Sequence, residues 1–294
     1  MDIAAKSNSD KSRYVEILFD FTPNNRQSTG SQITSSYSQT TDCLWLTMSS
    51  KKYACFTSGL LHDFTSCLHL NQQKHTSIKA IVLTSANPKI FSFGGDLAYI
   101  RNLIIKYDRE ALFNYIKLNL DVIFNFASHF QQLRIAQVTG AALDGGFEAA
   151  LASDVIIAER QATFGFSDND IKLFPCLGAS YYLTRKVGAR MAQQILSGTK
   201  RYTADELAKI GVVDVVTETA CSTDAVIRYI NNHQKNGDAN NSLKQLANRI
   251  NQTSYNELLE SCHHWVDNAM KFSGHDLRQI ERIVKQQISS CIQK

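Results

Sequence analysis

The chain reads as an α/β protein, and three features of its 294 residues predict this. Ala80-Ile81-Val82-Leu83-Thr84 is apolar on both faces, as a strand buried between layers must be. From there to about residue 217, short buried strands alternate with helical stretches, the pattern of α/β folds. Two glycine turns, Gly94-Gly95 and Gly145-Gly146, punctuate that alternation.

In order along the chain, residues 1–12 are polar and predict a frayed terminus. Residues 14–19 alternate as a strand. Residues 24–41, rich in Ser, Thr, Gln and Asn, predict a long loop with few core contacts. Residues 44–48 read as a strand and 55–68 as an amphipathic helix. A long amphipathic helix over 110–131 precedes a strand at 135–138. The turn Asp144-Gly145-Gly146 then opens a small-residue helix over 147–152, followed by a β-branched strand at 155–157 and an acidic loop, Ser167-Asp168-Asn169-Asp170. Gly178-Ala179-Ser180 opens another helix, and a helix over 204–210 ends at Gly211 before a strand at 212–216. Beyond Asp224 the pattern is helical, with a break at 236–241 and a helical appendage over 243–294.

Composition narrows the function classes. The chain is 44% hydrophobic and 20% charged, ordinary for a globular protein. A formal charge of +4 gives no reason to propose nucleic acid, yet it would not repel an acidic carrier protein or an anionic cofactor. Seven scattered cysteines without a C-x-x-C pair favour reduced thiols over disulfides or zinc. No signal peptide is evident, and no apolar run approaches the ~20 residues that span a bilayer. The expectation is a cytoplasmic protein that binds no membrane and no metal.

The candidate chemistry centres on the turns. Two backbone N–H groups converging on one thioester oxygen would stabilise an enolate or a tetrahedral intermediate. Each turn also reads as an ordinary strand-to-helix connection, and neither has dinucleotide-binding spacing. Glu148 lies among alanines on a helix that looks buried, where a carboxylate must be paired, hydrogen-bonded or functional. A structural ion pair with Arg134 or Arg160 is the alternative. Asp168 and Asp170 offer a second carboxylate or simply a solvated turn. His263-His264 lacks a third ligand at a recognised spacing, and Cys176 reads as a small core residue.

At these motifs the sequence resembles the crotonase (enoyl-CoA hydratase/isomerase) superfamily. Phe91-Ser92-Phe93-Gly94-Gly95-Asp96-Leu97 resembles its first oxyanion turn, and Gly145-Gly146-Phe147-Glu148 its second. Phe164-Gly165-Phe166-Ser167-Asp168 with Phe174-Pro175 resembles the segment carrying the second carboxylate. The resemblance implies N–H donors at Gly95 and Gly145, catalytic carboxylates at Glu148 and Asp168, and a spiral core of ββα repeats with a C-terminal helical appendage. A narrower similarity, to the diffusible-signal-factor synthases, rests on residues 94–98, 146–151, Leu173-Phe174-Pro175, Trp265-Val266-Asp267-Asn268-Ala269-Met270, Leu277-Arg278-Gln279-Ile280-Glu281-Arg282 and the stretches around Trp45 and Ala54-Cys55-Phe56-Thr57. It implies dehydration of a 3-hydroxyacyl thioester on acyl carrier protein, and release of a free cis-2-unsaturated fatty acid. Ordinary acyl-CoA hydration or isomerisation, a decarboxylase, and a non-catalytic carrier-protein-binding regulator are the alternatives.

The same resemblance implies an acyl site around Phe93, Gly94, Asp96, Leu97, Gly146, Phe147, Leu173, Pro175, Trp265 and Met270. It implies no cofactor beyond the substrate's own carrier protein or coenzyme A, and a trimer or hexamer. The chain divides on this reading into a polar strand and loop region (1–41), a crotonase core (42–220) and a helical region (221–294) that contributes to oligomerisation and covers the acyl pocket. Two positions depart from the family pattern, Asp168 where Glu is usual and Asp144 where Gly is usual. Asp168 sets its carboxylate roughly 1.5 Å further back, one C–C bond. Asp144 adds a charge beside the second turn.

Overall fold

The computed structural model describes residues 31–49, 54–75, 77–128, 132–167, 171–235 and 254–292, together with 237, 242 and 246. The strand expected at 14–19 and most of the break expected at 236–241 lie outside the described residues.

Two sheets organise the described chain. In the larger, β1 (Ile33–Ser38) pairs antiparallel with β2 (Cys43–Met48). β3 (Ala80–Ser85), β5 (Leu133–Val138), β7 (Val155–Glu159) and β10 (Val215–Thr217) extend it in parallel, in the order β1-β2-β3-β5-β7-β10. The smaller sheet orders β4 (Ile90–Ser92), β6 (Ala141–Leu143), β8 (Thr163–Gly165) and the antiparallel β9 (Tyr202–Thr203) side by side. Three long strands of the first sheet, β3, β5 and β7, each lead within a few residues into a short strand of the second. That repeat decides where the site lies. Because β4, β6 and β8 are parallel neighbours, the segments that follow them, Phe93–Asp96, Asp144–Gly146 and Phe166–Ser167, emerge together at one end of the small sheet.

Helices cover both faces of the larger sheet. α1 (Ser58–Lys74), α2 (Leu97–Ile105) and α3 (Arg109–Ser128) bury Leu60, Phe64, Ile100, Leu112, Leu120 and Phe126 in the main core. α4 (Gly145–Leu151) is buried along its whole length, which its run of small residues permits. α5 (Ala179–Ser197) packs on α4, and α6 (Ala204–Lys209) begins with a capping box in which Thr203 and Glu206 satisfy each other's end of the turn. On the opposite face, α7 (Ser222–Lys235) lays Ala225, Val226 and Ile230 against Val82, Ile135, Val155 and Ile157. α8 (Tyr255–Ala269) packs against α3 and α9 (Gly274–Ile292) against α2, and each contact carries an ion pair, Arg109–Asp267 and Arg101–Glu281.

Three expectations need correction. Residues 33–38 form an edge strand, where the polar composition predicts loop. Their backbone pairs with β2 along its length while the side chains from Thr34 to Ser36 stay exposed, so Ser and Thr cost the strand little at an edge. The helix expected at 55–68 starts three residues later and continues to Lys74. The cause is Thr57, whose hydroxyl accepts from the Leu60 amide and caps the helix. The strand expected at 212–216 is confined to Val215–Thr217. Gly211 turns at φ +81°, and the Val212 and Val213 amides donate back to the Leu207 carbonyl, so both valines fill the core from a helix end.

Candidate active site

Both glycine turns meet at the end of the small sheet. Gly94 has φ +80°, and a Cβ there would stand 2.5 Å from the Gly145 nitrogen, so neither its conformation nor its space admits a side chain. Gly146 approaches β4 as closely, since a Cβ would stand 2.3 Å from the Ser92 carbonyl oxygen. Gly95 and Gly145 are thereby brought together, and neither amide has a hydrogen-bond acceptor among the described residues.

The first turn is held from outside. The Phe93 and Phe56 amides donate to the carbonyls of Ala54 and Gly94, each at 2.7 Å, and the Gly94 amide donates to Ser92 Oγ at 3.0 Å. The Asp96 amide donates to the Tyr115 hydroxyl at 2.7 Å, and that hydroxyl donates in turn to the Phe56 carbonyl at 2.5 Å. Tyr115 therefore occupies the amide next to Gly95 without occupying Gly95 itself. Burial pushes its phenol far above its ordinary range, so it serves as a neutral donor and acceptor.

Glu148 is 2% exposed, in the first turn of α4. Its Oε1 accepts from the Leu177 amide at 2.8 Å and the Ala179 amide at 3.1 Å. Burial pushes the carboxyl up to about 8; the two amides oppose the shift, and the negative charge of Asp144 adds to it. The ion-pair alternative fails. Arg134 is bonded to Asp154 and the Phe126 carbonyl, and Arg160 to Asp205 and Glu218. With both amides on Oε1, Oε2 is the oxygen left to carry a proton. The arrangement combines two unused amides with a buried acid, and it can stabilise negative charge on a carbonyl oxygen while delivering a proton nearby.

The sequence profile of the enoyl-CoA hydratase/isomerase family matches residues 43–284. The chain belongs to that family. It is similar to a crotonyl-CoA hydratase of Syntrophomonas wolfei, 29% identical over 198 residues that cover 67% of this chain and 70% of that one. In fold it matches an enoyl-CoA hydratase of Bacillus halodurans, with TM-score 0.70, 22% identity, and coverage of 88% of this chain and 100% of that one. It also matches DspI of Pseudomonas aeruginosa, with TM-score 0.63, 22% identity, and coverage of 87% and 96%.

Within this family member, the residues singled out from sequence fall into distinct settings. Asp96 caps α2 by accepting from the Tyr99 amide, and Leu97 is buried in the helix that follows. Phe93 packs with Ile90 and Leu143 at the small sheet. Phe147 is fully buried, its ring set against those of Phe164 and Phe166, so its side chain supports α4 from the core. Leu173 and Trp265 are buried in the main core, and Pro175 and Met270 are half-buried. Asp168 and Asp170 lie outside the described residues, whereas Ser167, just before them, is bonded to Asp144. Cys176 is buried, with Cys262 Sγ 3.8 Å from its carbonyl oxygen. His263 stacks on Phe113, and His264 is exposed. A cleft of about 600 Å³ lined by Trp45, Gln137, Glu159 and Ser222 contains none of the turn residues. Among the described helices none is long and apolar enough to cross a membrane.

Sequence reasoning passed over Tyr115, Ser92, Leu177 and Ala179. Tyr115 lies inside an amphipathic helix and looks like any core aromatic. The other three act through backbone or a small hydroxyl, for which composition offers no signal.

Proposed function

We propose that the chain interconverts 3-hydroxyacyl and 2-enoyl thioesters, with dehydration as its working direction. The observation that carries this is Glu148, a buried carboxyl whose affinity for a proton burial raises, on the helix that begins at the turn where the unused Gly95 and Gly145 amides meet. The thioester carbonyl accepts from the Gly95 and Gly145 N–H groups, which acidifies the α-carbon and holds the enolate that forms. Asp168, or its loop neighbour, removes the α-proton. Glu148 Oε2 gives its proton to the β-hydroxyl, the Cβ–O bond breaks, and water leaves as the Cα–Cβ double bond forms. Phe93, Leu173, Trp265 and Met270 form the acyl end of the pocket in this reading, and the chemistry needs no cofactor beyond the substrate's own carrier. Family likeness suggests a trimer or hexamer.

A finer reading has specific support. The residues of α8 and α9 that resemble the diffusible-signal-factor synthases, Trp265–Met270 and Leu277–Arg282, favour a carrier-protein substrate and release of a free cis-2-enoic acid. The fold likeness to DspI is consistent with this. In that case water attacks the thioester carbonyl within the same amide pair after dehydration, and the carrier thiol leaves.

Matched 3-hydroxyacyl-carrier-protein and 3-hydroxyacyl-CoA substrates, followed by mass spectrometry with Glu148→Gln as control, test both levels. Free cis-2-enoic acid formed from the carrier-protein substrate establishes the finer reading. Reversible hydration of CoA esters without release leaves the hydratase alone standing. Binding of either thioester without turnover overturns both and leaves a non-catalytic binding protein.

A further inference from the structure

Asp144 holds a conformation that L-residues rarely adopt, φ +50° with ψ −126°, at the head of α4. A non-glycine residue in that region is strained and persists only where its surroundings determine it. Its side chain does not cap its own helix. The carboxylate is buried and reaches across to the next strand end, where Oδ1 accepts from the Ser167 amide at 2.5 Å and Oδ2 accepts from the Ser167 hydroxyl at 2.5 Å. The backbone repeats the link, because the Asp144 amide donates to the Gly165 carbonyl at 2.9 Å. A glycine would hold the same turn without strain but could make neither side-chain bond.

We propose that Asp144 is a positioning residue of this active site: its carboxylate clamps Ser167 to the turn that presents Gly145, and so fixes the spacing between that turn and the segment that follows β8. This rests on the thioester reading above for its effect on catalysis, but the clamp itself is a property of the fold. Two short charge-assisted hydrogen bonds from one residue to one partner give direction as well as strength. The charge has a second consequence. Among the described residues, Asp144 and the Tyr182 phenol are the titratable groups that interact with Glu148, and Asp144 favours its protonated form. Arg134 and Arg185 interact with Tyr182 and with Asp154, and neither is bonded to Glu148.

Three variants of the full chain test the proposal. Asp144→Gly suits the backbone and should fold with Tm unchanged or raised. It should increase amide exchange at Ser167 by about tenfold or more, as a hydrogen-bonded amide becomes open. On 3-hydroxyacyl thioesters kcat should fall by about ten- to a hundredfold, with KM little changed, the size expected for a misplacement of ~1 Å. Asp144→Asn keeps an acceptor for the Ser167 amide. It should restore most of the exchange protection while moving the descending limb of the pH–rate profile to lower pH, since the charge that favours protonated Glu148 is gone. Ser167→Ala, which removes one of the two bonds, should fall between wild type and Asp144→Gly.

Wild-type exchange at Ser167 in Asp144→Gly would overturn the clamp. Increased exchange with wild-type kcat would overturn its positioning role. An inert wild-type chain on every thioester, with exchange still increased in Asp144→Gly, would overturn the thioester reading and leave the clamp in place.

Discussion

The Leu177 amide donates to Glu148 Oε1 at 2.8 Å, across 29 residues of chain, and this bond joins the second glycine turn to the start of α5. A buried carboxyl held by backbone donors on one oxygen is fixed in orientation yet costly to ionise.

Glu148 therefore couples stability to pH. The folded chain keeps its proton up to about 8, whereas the unfolded chain releases it near the ordinary value of 4.5. Between those limits the folded state binds more protons, so stability falls as pH rises, by at most roughly 1.4 kcal/mol per unit. The contribution is full below the window and lost above it. Urea unfolding at about pH 5 and about pH 8 should show this slope in the wild type and lack it in Glu148→Gln. Catalysis should follow the same proton. Dehydration falls as pH rises through about 8, and Glu148→Gln loses about 10²–10⁴-fold in kcat.

Tyr115→Phe removes the hydroxyl that joins the Asp96 amide to the Phe56 carbonyl. The buried Phe56 carbonyl and the half-buried Asp96 amide then lose the hydroxyl's two bonds, at about 1 kcal/mol each. Thermal unfolding should register the loss as a lower Tm. Because the turn at Gly95 loosens, kcat should drop more than KM rises.

Gly94→Ala meets both obstacles at once, a φ of +80° and a Cβ 2.5 Å from the Gly145 nitrogen. The turns must separate to admit it. Activity should be abolished, and stability should fall by about 1–3 kcal/mol from the backbone term alone. Chemical denaturation and the thioester assay, run together, check the two effects.

Much of this site was legible in the residues. Gly94-Gly95 and Gly145-Gly146 stood out because only glycine allows such close backbone approach, and Glu148 because a carboxylate among alanines needs a reason. What the residues could not convey was convergence, which comes from β4, β6 and β8 lying parallel and adjacent. The large sheet was legible for the same physical reason at β3, whose two-sided apolarity demands burial. β1 was not, because an edge strand facing solvent can be built from Ser and Thr and then looks like loop. Asp144 read as a charge intruding on the turn. Its bonds to Ser167 give it a partner that lies 23 residues away, beyond the reach of local pattern.

Gly178 sets the donors that hold Glu148. It is the residue before α5, at φ +115°, and a Cβ there would stand 2.7 Å from Tyr182 Cε2 and 2.9 Å from Cζ. Tyr182 is buried, so its ring has little room to withdraw. Gly178→Ala must therefore shift the backbone between Leu177 and Ala179, the two amides on Oε1. Those bonds favour the ionised carboxyl, so weakening them raises its affinity for the proton further. The descending limb of the pH–rate profile should move above about 8, opposite in direction to its shift in Asp144→Asn. A shared direction in the two variants would mean that the limb does not report Glu148.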